Sequence, residues 1–326
     1  MLLLASCMAL LASNLPHEAH ITIPKRIQWD ANGGYCGETC LVSAGLYYGQ
    51  YLSQYDVRIA GKGPNGQLSE VLIQTDPAGS ASTAAKNLFL TSSFKQGNKN
   101  DPDGFLSWVK AQVLDGHPVA IGVYMNNARF GEGDDENYDH IILVTGVGSE
   151  KRFNDKKYSS TDVLYYWDNG LWTDDPTVPA YGSCQFGKFA NTRTCADCPT
   201  GNLYSLPKGA KVHNYGIAIT GAVDPNGDPI IPLSVTVSNN EEIPEMVDES
   251  ILRPARPDPI TLTITAVNLK SGTYDVYKYD SLDGSSKKFI GKVTPDQPTL
   301  TDTIPPDSQR PPVTSSIAIY RAVKAK

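Results

Sequence analysis

Cys36 stands where the glycine-rich stretch Asn32-Gly33-Gly34 runs into an apolar helical pattern that begins Cys36-Gly37-Glu38-Thr39-Cys40-Leu41-Val42. The first-turn amides of a helix have no intrahelical partners and carry partial positive charge. A sulfur held there is stabilised as thiolate, the form that attacks carbonyls. Such a nucleophile needs a base, and the base needs an orienting group. His140 opens the strand-like run Asp139-His140-Ile141-Ile142-Leu143-Val144-Thr145-Gly146, and Asp168 closes Val163-Leu164-Tyr165-Tyr166-Trp167-Asp168. If those strands are neighbours, acid and imidazole lie side by side. Asn169 is the alternative orienter, and strand register decides between the two. His213 also precedes a strand, but no acid-bearing strand follows it, and His117 beside Pro118 reads as structural.

The elements that must position these groups follow from periodicity. Leu41, Val42, Leu46 and Tyr47 recur at helical spacing until Gly49, and Phe105, Trp108, Val109, Gln112 and Val113 mark one face of a helix over 103–115. Runs at 117–124, 139–146, 162–168 and 215–220 are rich in β-branched and aromatic residues and predict one sheet or barrel. A turn signal, Asp224-Pro225-Asn226-Gly227-Asp228, predicts a hairpin from the last run into 230–237. Residues 239–258 have linker composition, and beyond them short runs at 260–267, 274–279, 288–293 and 316–323 predict a small β-sandwich. The expected organisation is α+β: a leader at 1–16, a catalytic domain at 17–238, a linker at 239–258 and an accessory β-sandwich at 259–326.

Of the 326 residues, 40% are hydrophobic, enough to bury a core, and the net charge of -7 comes with no basic cluster. That balance argues against nucleic acid or an anionic membrane as partner. Residues 1–13 form an apolar stretch of the size of a secretory signal core, so the expected mature protein is secreted and not held at a membrane. Loss of Cys7 with that leader leaves five cysteines, an odd number that singles out Cys36 as the reactive thiol. Cys40, Cys184, Cys195 and Cys198 can form two disulfides whose pairing the sequence leaves open, although Cys40 also suits a buried thiol. Cys184, Cys195 and Cys198 lack a fourth ligand for zinc, and the acidic run Glu132, Asp134, Asp135, Glu136 and Asp139 lacks calcium-loop spacing, so no metal or cofactor is expected.

Taken together, Gln28, the Cys36-Gly37-Glu38-Thr39-Cys40 block, the Asp139-His140 strand and the strand ending in Asp168 resemble the double-glycine-leader (bacteriocin-processing) branch of papain-like cysteine peptidases. The resemblance covers residues 28 to about 170. It implies a papain-like domain in which the helix carrying the nucleophile packs on an antiparallel β-sheet or barrel. It further implies Cys36 as nucleophile, Gln28 as oxyanion donor, and His140 and Asp168 as the rest of the triad. Papain itself attacks with the second cysteine of its motif, which would select Cys40; Gly37 and the distance from Gln28 favour Cys36. The expectation is a secreted thiol peptidase acting on protein or peptide through a thioester. The alternatives are acyl transfer to an amine by the same triad, and a non-catalytic extracellular binding or adhesion protein on the same scaffold.

Overall fold

The computed structural model describes residues 15–29, 33–63, 65–74, 80–98, 101–130, 137–170, 181–184, 203–207, 213–238, 259–305 and 317–325. In chain order they form β1 (His17–His20), α1 (Cys36–Tyr47), β2 (Gln50–Tyr51), α2 (Gln54–Lys62), α3 (Ala81–Asn87), β3 (Leu90–Gln96), α4 (Pro102–Leu114), β4 (Val119–Met125), α5 (Asn127–Phe130), β5 (His140–Ser149) and β6 (Val163–Trp167). They continue with β7 (Tyr181–Cys184), β8 (Tyr204–Ser205), β9 (Tyr215–Ala222), β10 (Ile230–Ile231), β11 (Leu233–Val237), β12 (Ile260–Ala266), β13 (Tyr274–Tyr279), β14 (Lys287–Val293), β15 (Thr299–Ile304) and β16 (Ala318–Lys324). The class is α+β with antiparallel sheets, and the sheet that carries His140 is open, in the order β3-β9-β4-β5-β6-β7, rather than a barrel.

Contacts divide the chain into two compact units. The first holds the described residues of Met1–Ile21, Phe94–Asp168 and Asp175–Ala218. Every residue of β5 is buried, and β4 is buried except at Met125, so their apolar runs are continuous rather than alternating. Helix α4 packs on β1, β4 and β5. It starts with Asp101 accepting from the Gly104 N–H and Pro102 at its first position. It ends in a Schellman motif, with His117 N–H donating to Gln112 O and Gly116 N–H to Val113 O.

The second unit holds the described residues of Thr22–Ser93, Asn169–Asp174 and Ile219–Lys326. A capping box between Ser53 and Asp56 starts α2, and α1 packs on α2, α3, β2 and β11. The turn at Asp224 to Asp228 closes with Gly227 N–H on Asp224 O, yet it makes no hairpin. Instead β10 pairs with β16, and β11 pairs with β12 across the 239–258 connection. β2, directly after the helix of Cys36, pairs with β16 as well. Leu46 of α1 enters one core with Leu233, Leu262, Ile264, Val276, Ala318 and Tyr320. Arg321, fully buried on β16, donates to the carbonyls of Tyr48, Phe89 and Val223. The C-terminal strands therefore share a core with the helix that carries Cys36.

Gly49 ends that helix with φ +76°, and a Cβ there would lie 2.9 Å from Leu233 Cβ and 3.2 Å from Tyr320 O. Gly116 has φ +83° with nothing within 4 Å. Gly116→Ala is therefore expected to cost about 1 kcal/mol, the conformational penalty alone. Gly49→Ala adds an overpacking cost of about 1–3 kcal/mol. Urea unfolding of the two variants beside the parent measures the difference.

Candidate active site

The approach to Cys36 is a pair of glycines in the left-handed region, Gly33 at φ +81° and Gly34 at φ +104°. A Cβ on Gly33 would stand 3.0 Å from Glu70 Oε1, and one on Gly34 3.4 Å from Gln28 Oε1. Tyr35 is the N-cap of α1, and its side chain makes no capping bond. Its ring lies under the Arg58 guanidinium at 3.5 Å, and its hydroxyl donates to Gln67 Oε1 at 3.2 Å. Cys36 is half-buried at the first position of the helix.

Gln28 is fixed from several directions. Its N–H donates to Asn169 O at 2.8 Å, and Gln54 on α2 grips the residues on either side, accepting from Trp29 N–H at 2.9 Å and donating to Ile27 O at 2.8 Å. The Gln28 side-chain oxygen accepts the Tyr35 N–H at 3.0 Å. An N–H can be accepted only by the amide oxygen, so this bond settles which end of the amide is which and leaves the Nε2 hydrogens as its donors.

Beneath the loop is a buried ion pair. Arg58 Nε donates to Glu38 Oε1 at 2.5 Å, with side-chain exposures of 0% and 1%. Arg58 also donates to Gln67 O at 2.8 Å and to Gly34 O, and Glu38 accepts the Val71 N–H at 3.0 Å. Burial raises the Glu38 carboxyl above its ordinary value, while the Arg58 guanidinium pulls it the other way.

His140 begins β5 opposite Val123 of β4, and Leu143 of β5 pairs with Trp167 of β6. Carried one residue further, that register sets Asp168 on the face of His140, two positions along, a diagonal pair. His140 Nε2 lies 3.4 Å from Asp168 Oδ1, both side chains being buried. The hydroxyl of Tyr204, on β8, donates to Asp168 Oδ2. The Tyr204 ring lies 5.7 Å from the His140 ring and stacks on Phe130. Asn169 points elsewhere: its Nδ2 donates to Cys36 O at 3.0 Å and to Cys40 Sγ at 3.2 Å. Cys40 is thus a buried thiol. Neither it nor Cys36 is in a disulfide, which removes Cys40 from the four cysteines expected to pair.

Of the four residues that sequence singles out, Gln28 and Cys36 fall in the second unit and are linked through Tyr35, while His140 and Asp168 are in contact in the first. His213 makes its contact through Nδ1 with Gly97 O, and His117 Nδ1 with Gln112 Oε1. The Cys184 side chain, Cys195, Cys198 and the acidic residues Glu132, Asp134, Asp135 and Glu136 lie outside the described residues. Sequence reasoning missed Arg58, Gln54 and Tyr204. Arg58 sits between Val57 and Ile59, the one charged position on an otherwise apolar stretch of α2, and that was the only available signal. A scan of family models and searches of curated proteins and of solved structures gave no match to this chain.

Two substitutions probe these braces. With Met at position 58 the pull of the guanidinium is gone and burial, the largest influence on Glu38, outweighs the Val71 N–H, so its folded carboxyl value stays raised. The stability this contributes is present below the unfolded value of about 4.3 and is lost as pH rises through the folded value. Arg58→Met is expected to be about 3–5 kcal/mol less stable than the parent at neutral pH, the deficit narrowing as pH falls toward the unfolded carboxyl value. Tyr204→Phe removes the hydroxyl that donates to a buried Asp168 oxygen and is expected to cost about 1–3 kcal/mol. Urea unfolding at two pH values reads both.

Proposed function

We propose that the chain is a papain-like cysteine peptidase, a thiol hydrolase that cleaves peptide bonds and is exported behind the apolar leader. The observation that carries this reading is the division of labour at two consecutive residues. Asp168 orients His140, and Asn169 braces the carbonyl of Cys36. Consecutive Cα atoms are about 3.8 Å apart, so the orienter of the base and the brace of the thiol share one peptide bond.

The chemistry follows from the groups. Bonded to Asp168 through Nε2, the neutral His140 ring keeps its basic lone pair on Nδ1, and that nitrogen takes the Cys36 proton. The thiolate attacks the substrate carbonyl, and the oxyanion is held by the Cys36 N–H and the Gln28 Nε2 group. As the tetrahedral species collapses, the C–N bond breaks and the His140 imidazolium gives its proton to the leaving amine. Water, deprotonated by His140, then releases the acid and restores the thiol. Asp168 remains ionised throughout, with Tyr204 donating to its second oxygen. None of these steps uses a metal or cofactor.

The test is limited alkylation of the unreduced protein by iodoacetamide between about pH 5 and 8, with the adduct mapped by mass spectrometry, followed by a peptide-library digest. Cys36 is expected to react first and to stay reactive below pH 7, Cys40 to be protected, and His140→Ala to slow Cys36 at pH 6 by tenfold or more. A Cys36 that titrates like an ordinary thiol, near 8.5, would sink the peptidase reading and leave a binding protein. Digest products carrying an added amine would change hydrolysis to transamidation.

A further inference from the structure

We infer that Arg58 is a positioning residue for the oxyanion donor: through the Gly34–Tyr35 peptide it decides which way the Gln28 amide faces. The inference rests on the peptidase reading above. A trans peptide carries its C=O and N–H on opposite edges. Arg58 holds one edge of this peptide, donating to Gly34 O, and Gln28 Oε1 holds the other, accepting the Tyr35 N–H. If the peptide turned over, both bonds would break together and a carbonyl would confront Gln28. The Gln28 amide would then offer that carbonyl its NH2 group and turn its oxygen the other way. An oxygen in place of Nε2 repels an oxyanion where a donor would stabilise it.

Turning the peptide over changes ψ of Gly34 and φ of Tyr35. Gly34, at φ +104°, admits the change at small cost, whereas Tyr35, at φ -133°, would be carried into the left-handed region that a tyrosine seldom adopts. Arg58 adds a charge-assisted bond to that preference, and it cannot follow a turning peptide, because Glu38, Gln67 O and the Tyr35 ring fix the guanidinium without access to water. Arg58 acts on the reaction only through Gln28. Lysine at this position keeps a charge for Glu38 but is a single point donor, and it cannot span Glu38 and Gly34 O as a planar fork does.

The experiment separates two reactions of the same sulfur in the full-length protein. Iodoacetamide is attacked at a tetrahedral carbon: an S–C bond forms, iodide leaves, and no oxyanion arises. N-acetylglycine p-nitrophenyl ester is attacked at a carbonyl: an S–C bond forms through an oxyanion and p-nitrophenolate leaves. In Arg58→Lys, acylation by the ester is expected to fall about 100-fold or more, the scale of losing one oxyanion donor, while alkylation stays within about twofold of the parent. Gly34→Ala, which strains the same peptide without touching the ion pair, is expected to behave alike. Gln28→Ala combined with Arg58→Lys should be no slower than Gln28→Ala alone. The Tyr35 amide, read by hydrogen exchange, should lose protection by tenfold or more in both Arg58→Lys and Gln28→Ala. Unchanged Tyr35 exchange in Arg58→Lys, or acylation and alkylation falling in parallel there, overturns the inference. Should Arg58→Lys fail to fold, Gly34→Ala gives the same two rates. If the parent shows no activated thiol, the peptidase reading fails, and the Tyr35 exchange still decides whether Arg58 governs this peptide.

Discussion

A guanidinium removed from water keeps its charge, and its donors must find acceptors inside the protein. Arg58 meets that demand with a carboxylate from α1, the carbonyl of the loop that leads into α1, and a carbonyl from the segment after α2. Three stretches of chain are thereby given one common reference point. Moving any of them leaves either a charge unpaired or a donor unused, and both are expensive in a buried site. Gln54 does similar work on a smaller scale, holding the backbone on both sides of Gln28. The glycine loop gains a defined shape from its surroundings, since its own residues supply almost none.

The other organising constraint is the alternation of side chains at the end of β6. Asp168 sits on the face shared with His140, and Asn169, one residue on, cannot. The amide therefore goes to the carbonyl of Cys36 and the sulfur of Cys40, and the carboxylate to the imidazole and the Tyr204 hydroxyl. A register slip of one residue would exchange the two, giving the imidazole an amide and turning a buried carboxylate toward a carbonyl and a thiol. A carbonyl has no hydrogen to give a carboxylate, and a thiol is only a weak donor. The pairing of Leu143 with Trp167 is thus as much a part of this arrangement as the polar groups themselves.

Much of the secondary structure was legible because burial imposes period. The runs of β4, β5, β6 and β9, the helices α1 and α4, and the strands β12, β13, β14 and β16 all follow apolar patterns visible in the residues. β15 was missed because its alternation is carried by threonines and an aspartate, with Ile304 its only fully buried residue. Pairing partners were not legible. The composition of 239–258 suggests a separator, yet the strands on either side of it, β11 and β12, are neighbours in one sheet. Composition reports that a segment lacks a core face, not what its ends are joined to. Gln28, Cys36, His140 and Asp168 stand out in the sequence because few residue types can do that chemistry. Their supports do not: nothing distinguishes Tyr204 from the other 16 tyrosines before it is seen against Asp168.

The sharing of a core between α1 and the C-terminal strands has a consequence in time. Tyr48 and Arg321 are in contact across 273 residues of chain. A ribosome adding about 5–20 residues per second needs roughly 14–55 s to make that span. Throughout this interval Leu46 lacks the C-terminal side chains of its core, and β2 has no strand to pair with. The helix bearing Cys36 is synthesised well before the strands that complete its packing. The cysteine at the head of this helix therefore gains its finished surroundings only when the chain beyond it has been made.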